Sequence, residues 1–131
     1  MYKAVIDTNV LVSALLSSKG NPAEVMSLFY FGKLQIFYTS EILGEYKRVL
    51  AYKRLNIAEK TQIGIINAFE AGGTLSDPPK PSTMLLPDES DRKFYDLAKT
   101  GGFILITGNR KHFPKDDPLV MTPAEFLQNI V

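Results

Sequence analysis

The chain of 131 residues contains no cysteine and a single histidine, His112. Without cysteine there is no disulfide, no thiol nucleophile and no zinc–thiolate site, as expected of a cytoplasmic protein. One imidazole alone also argues against a dedicated zinc or copper centre. No apolar run approaches the ~20 residues of a membrane span. Strand-like sequence begins at once, so neither a signal peptide nor a transit peptide is expected. Excess charge of one sign is missing as well: the formal net charge is +1, which does not suggest a nucleic-acid binder by bulk electrostatics. There is no G-x-S-x-G elbow, P-loop or G-x-G-x-x-G, so serine hydrolysis of the α/β-hydrolase type and those modes of nucleotide binding lack support.

What is present is the composition of a globular protein, 45% apolar and 22% charged, in a length that suits one domain over residues 1–131. No repeat or low-complexity tract interrupts it. "YKAVI" and "LQIFY" (34–38) predict buried strands, and "FILIT" and "LVM" two more. "LVSALLS" predicts a helix. "NPAE" predicts a helix start at Asn21, with Glu24 completing a capping box, running to about Phe31. Ser40 is expected to cap a helix to about Leu50, "AEKTQIGIINAFEA" to form another, and Asp91–Thr100 a further one. "TPAE" opens a last helix through a capping box. "LSDPPKPST" predicts a surface loop, because its prolines remove donors and fix φ.

Strands alternating with helices predict an α/β protein with a parallel sheet covered on both faces. Such sheets bind ligands at the carboxyl ends of their strands. Asp7, Ser40 and Asn109 each follow a strand there. Asp7 serves equally as a helix N-cap. On the helix after Ser40, Ile42, Tyr46, Val49 and Leu50 define the inner stripe. Glu45 falls on its flank, able to reach a cleft or to remain solvated, and Glu41 points further out. Asp88, Glu89 and Asp91 precede a helix, where acids also complement the dipole. Several carboxylates in one cleft raise each other's pKa unless something positive sits among them. Hard oxygen donors suit Mg²⁺ or Mn²⁺, and such sites perform phosphodiester hydrolysis. His112 is expected on a surface loop.

Four segments, "VIDTNVLVSAL", "TSEILGEYKRVL", "DESDRKFYDLAKTGG" and "FILITGNRKHFP", occur in the order found in PIN-domain ribonucleases. The sequence resembles that family, in particular the toxins of VapBC-type toxin–antitoxin pairs, over essentially the whole chain. The resemblance implies a three-layer α/β/α sandwich and an acidic pocket for Mg²⁺ or Mn²⁺. It makes Asp7 the first metal carboxylate, Glu45 the second acid and Asp91 the third, with Asp88 beside it. Asn9 and Ser40 become polar supports, and Thr107 and Asn109 lie beyond the third long strand. It also implies a homodimer and an antitoxin protein as partner. One position departs from the family pattern: Asn109 stands where many members carry a fourth acid, which favours a one-metal site.

The mechanism expected from this set is RNA hydrolysis, with Asp7 and Asp91 holding the metal and Glu45 positioning or deprotonating water. Arg92, Lys93, Arg110 and Lys111 are expected to contact RNA phosphates. The aromatic segment "LFYFGKLQIFY" exceeds the needs of a small core and is expected to supply part of a surface for self-association or a partner. Two competing readings remain: a degenerate PIN domain that binds RNA or protein without turnover, and a phosphotransfer domain with Asp7 as nucleophile. The second lacks the usual Asp two residues on, since Asn9 stands there.

Overall fold

The computed structural model describes residues 1–130. The elements are β1 (Tyr2–Ile6), α1 (Thr8–Leu16), α2 (Asn21–Tyr30), β2 (Leu34–Tyr38), α3 (Ser40–Leu50), α4 (Glu59–Gly72), β3 (Thr74–Leu75), α5 (Arg92–Gly101), β4 (Ile104–Ile106), β5 (Val120–Met121) and α6 (Pro123–Asn129). All five strands form one sheet of order β3-β2-β1-β4-β5 in which every neighbouring pair is parallel. Helices α1, α2 and α6 pack in sequence against one another, α3 packs on α4 and α5, and α5 lies on β1 and β4. This is the α/β/α architecture expected from alternating strands and helices.

The central strands are apolar because both of their faces are covered. Ala4, Val5, Ile6, Ile36, Leu105 and Ile106 are fully buried, with Tyr46, Phe69, Phe94 and Phe126 among the large side chains packed around them. Phe37 stacks on Phe103 with ring centroids 4.0 Å apart. Two glycines end helices for different reasons. Gly102, beyond α5, has φ +70°, which an L side chain rarely adopts. At Gly73, beyond α4, a Cβ would lie 2.7 Å from the Phe69 carbonyl oxygen and 3.0 Å from the Tyr38 ring.

Three local expectations are corrected. Helix α2 begins one residue early: Gly20 is its N-cap, Asn21 is already helical, and no side-chain cap forms. At α3 the cap is Thr39, whose Oγ1 accepts from Ile42 N at 3.2 Å, and Ser40 occupies the first turn. Leu75, expected in a loop, pairs with Tyr38 as the short edge strand β3 before the prolines begin. The capping box of α6 forms as expected, with Thr122 and Glu125 bonded reciprocally. Of the aromatic segment, Phe29, Phe37 and Tyr38 are buried, whereas Tyr30 and Phe31 are exposed.

Candidate active site

Strand β1 connects leftward to β2 and β4 rightward to β5, so the topological switch point lies between β1 and β4. Ligand sites of open α/β sheets form at the carboxyl ends of strands at that point. Here Asp7 follows β1 and Thr107 follows β4. Their pairing continues the strand register: Asp7 N–H donates to the Ile106 carbonyl at 2.9 Å, and the Thr107 hydroxyl donates to Asp7 Oδ2 at 2.8 Å. Asp7 does occupy the N-cap position of α1, but its side chain makes no capping bond. Its carboxylate is aimed across the sheet instead.

Asp7 is buried, and burial pushes its carboxyl up to about 6, with the charges of Asp91 and Glu45 adding repulsion against the Thr107 hydrogen bond. Both charges act on Asp7 through space, although the ligand atoms that lie within 4.8 Å of one another are those of Asp88, Asp91 and His112. Glu45 reaches the cluster from the flank of α3, while the buried Ile42, Tyr46 and Leu50 anchor the helix beneath it. The Tyr46 hydroxyl also donates to the Ile6 carbonyl, tying α3 to the end of β1.

Glu45 has three partners, of which Arg48 is the most distant, its Nη2 lying 3.9 Å from Oε1. Thr8 Oγ1 donates to Oε2, and Lys93 Nζ lies 2.6 Å from Oε1. Lys93 is therefore the cation closest to Glu45, supplied by the first turn of α5, and its ammonium also bonds the Ser90 carbonyl. Asp91, buried in the 3-10 turn Glu89–Asp91 just before α5, faces the His112 ring: Nδ1 lies 3.0 Å from Asp91 Oδ2. Burial raises the Asp91 carboxyl, with His112 pulling the other way. Asp88 is exposed and accepts from both the backbone N–H and hydroxyl of Ser90, which hold its carboxyl below the usual range. Asp88, Asp91 and His112 offer ligand atoms that all lie within 4.8 Å of one another.

The remaining expected site residues divide. Asn9 accepts from Gly108 N–H at 2.9 Å and so braces the loop after β4. Asn109 is exposed, and its backbone N–H donates to Thr107 Oγ1 at 3.0 Å. Ser40 is exposed and bonds to none of the acids. Arg92 is consumed locally: its guanidinium bonds Glu89, Ser82 and the Met84 carbonyl, anchoring the proline loop to α5. Arg110 bonds the Lys115 carbonyl and approaches Glu125 at 3.7 Å, leaving Lys111 and Lys115 as the exposed cations of that loop.

His112 is the site residue that sequence reasoning passed over. The sign available was its place three residues beyond Asn109 in "NRKHFP", on a 3-10 turn that swings it back toward the strand ends. Which acid it meets is invisible in the chain, because 21 residues separate it from Asp91.

Fold and site together define a three-layer α/β/α protein with acidic residues at the switch point of its sheet, a donor set that could bind a metal. Residues 3–111 match the PIN domain, and the chain belongs to that family. Its members are generally nucleases dependent on divalent metal. An uncharacterized protein of Methanocaldococcus jannaschii, MJ1680, is 31% identical over 144 aligned residues, covering 96% of this chain and 90% of its own. The donor set fits the metal: hard carboxylate oxygens dominate, and Asp7 bears a buried charge that a cation would relieve. No helix among the described residues is long and apolar enough to cross a membrane.

Proposed function

We propose that the protein is a metal-dependent endoribonuclease and the toxin of a VapBC-type toxin–antitoxin pair. The observation that carries the nuclease reading is Asp7: a buried carboxylate at the β1–β4 switch point, with Asp91 and Glu45 close enough to raise its pKa. Asp7 and Asp91, with Asp88 beside them, would hold one Mg²⁺ or Mn²⁺. When bound, that ion supplies a lowered pKa for water and neutralises charge building on the phosphate. Thr107 orients Asp7. Glu45, steadied by Thr8 and Lys93, accepts the proton of the attacking water, whose oxygen bonds to phosphorus as the bond to the leaving ribose oxygen breaks. Lys111 and Arg110 lie on the loop beyond β4, where RNA phosphates would pass, a salt-sensitive and sequence-blind contribution.

The toxin assignment rests on the resemblance of the motifs. It brings with it an antitoxin protein, a homodimer and a cytoplasmic location. Exposed Tyr30 and Phe31 offer apolar area for self-association. A light-scattering mass of one chain at micromolar concentration would refute the dimer.

The decisive experiment is RNA cleavage by the wild type beside Asp7→Asn, purified identically, in Mn²⁺, Mg²⁺ or EDTA. Metal-dependent cleavage lost in the variant is the expected result. Equal traces in both proteins would favour a non-catalytic RNA- or protein-binding PIN domain, the reading that Asn109 favours by leaving the site one acid short.

A further inference from the structure

Beside Asp7 the surface opens into a groove of about 370 Å³ between α1 and the turn that follows α3. One end is Asp7. The walls are Val12 of α1, Val49 of α3 and Leu55, and the rim carries Tyr52 and Arg54. Its volume is at the lower end of the range that holds small ligands, about 300–1,000 Å³. Tyr52 and Arg54 are both exposed, and the Arg54 guanidinium carbon lies 5.3 Å from the Tyr52 ring centroid. Among the described residues Arg54 pairs with no carboxylate. Glu45 already has Lys93 as its counter-ion, whereas Arg54 lies against the Tyr52 ring and leaves its charge without an acidic partner among the described residues.

We propose that this groove seats one unstacked nucleobase of a single-stranded nucleic acid, with Tyr52 as its stacking platform and Arg54 as the cation for the adjoining phosphate. The inference rests on the nuclease reading and adds to it one base-binding subsite. Apolar walls with an exposed aromatic rim match a π-face, which every base presents, and an arginine plane beside it adds stacking and charge. Bases in a duplex are stacked and cannot enter such a groove, whereas single-stranded loops and ends can splay a base outward. Continuity with Asp7 sets the reach: a base seated here places the backbone of the same or the next nucleotide over the carboxylates.

The test uses the full chain in EDTA, where binding is read without cleavage. Fluorescence anisotropy would follow a 5′-labelled eight-nucleotide RNA, the same RNA annealed to its complement, and wild-type, Tyr52→Ala, Tyr52→Phe and Arg54→Ala proteins. Expected are single-strand binding weakened about tenfold or more by Tyr52→Ala, near wild-type binding in Tyr52→Phe, and a duplex bound more weakly than the single strand. In Mn²⁺, Tyr52→Ala should raise KM with kcat largely kept. If the wild type cuts RNA while Tyr52→Ala retains its affinity and KM, the inference is overturned, the groove passes to a protein partner, and the nuclease reading stands. A duplex bound as tightly as the single strand also overturns it. A wild type that neither binds nor cuts RNA overturns both.

Discussion

Lys93 Nζ stands 2.6 Å from Glu45 Oε1, with both side chains 13% exposed, so the acidic cluster carries its own counter-ion. The pair joins the first turn of α5 to the middle of α3 and fixes one oxygen of the candidate base. The other oxygen takes the Thr8 hydroxyl from the start of α1. Three separate helices thus position one carboxylate.

This predicts coupling between the two residues. Glu45→Gln should lower RNA cleavage by about 10²-fold or more, the usual contribution of a positioned base. Lys93→Met should lower it less and should lower Tm as well, because it leaves a nearly buried charge without its partner. The double variant should be more stable than Lys93→Met alone. A double-mutant cycle on Tm measures this, and strict additivity would refute it.

Asp7 predicts a trade between stability and activity. Its carboxyl titrates at about 6 when folded, against 3.8 in the unfolded chain. The folded state therefore holds this proton more tightly, and it is the ionised form that folding disfavours. As pH falls from 7 through 6 toward 4, the Asp7 contribution to stability of the metal-free protein should rise, by up to about 3 kcal/mol. Asp7→Asn should remove that dependence, raise the metal-free Tm at pH 7 and abolish cleavage. The check is the difference in Tm between the two proteins across pH 5–7.5. A difference independent of pH would count against the assignment.

His112 predicts a metal-binding phenotype. Removing the ring that faces Asp91 should weaken Mn²⁺ binding by about tenfold, a magnitude typical of groups that support metal carboxylates. Titration of Mn²⁺ by electron paramagnetic resonance without RNA reads this directly. Equal affinity in His112→Ala would leave the histidine as a surface residue.

The basic residues should separate by role. Lys111→Ala should reduce the slope of log affinity against log salt for RNA by about one. Arg92→Ala should leave the slope unchanged and lower Tm, since its guanidinium already bonds Glu89, Ser82 and Met84. A reduced slope in Arg92→Ala would return it to the RNA surface.

Much of this was legible in the chain because period and punctuation are local properties. Short β-branched runs marked β1 and β2, paired glycines ended α4 and α5, and Thr122 with Glu125 announced the start of α6. The flank position of Glu45 followed from the spacing of Ile42, Tyr46 and Leu50, which the fold buries. Exact caps were less legible. Gly20 and Thr39 took the N-cap positions expected of Asn21 and Ser40, since the angle at which chain leaves a turn or strand decides which residue starts the helix.

The linear order determined the alternation of strand and helix, and with it a parallel sheet whose strand ends gather polar residues. Tertiary structure alone decided what those residues do. Asp7 could have capped α1; a hydroxyl 100 residues away drew it across the sheet instead. Lys93 and Arg92 are adjacent and chemically alike, yet one neutralises Glu45 and the other staples the proline loop. Helical geometry turns neighbouring side chains about 100° apart. Charge is written in the sequence, but its partner is chosen by packing.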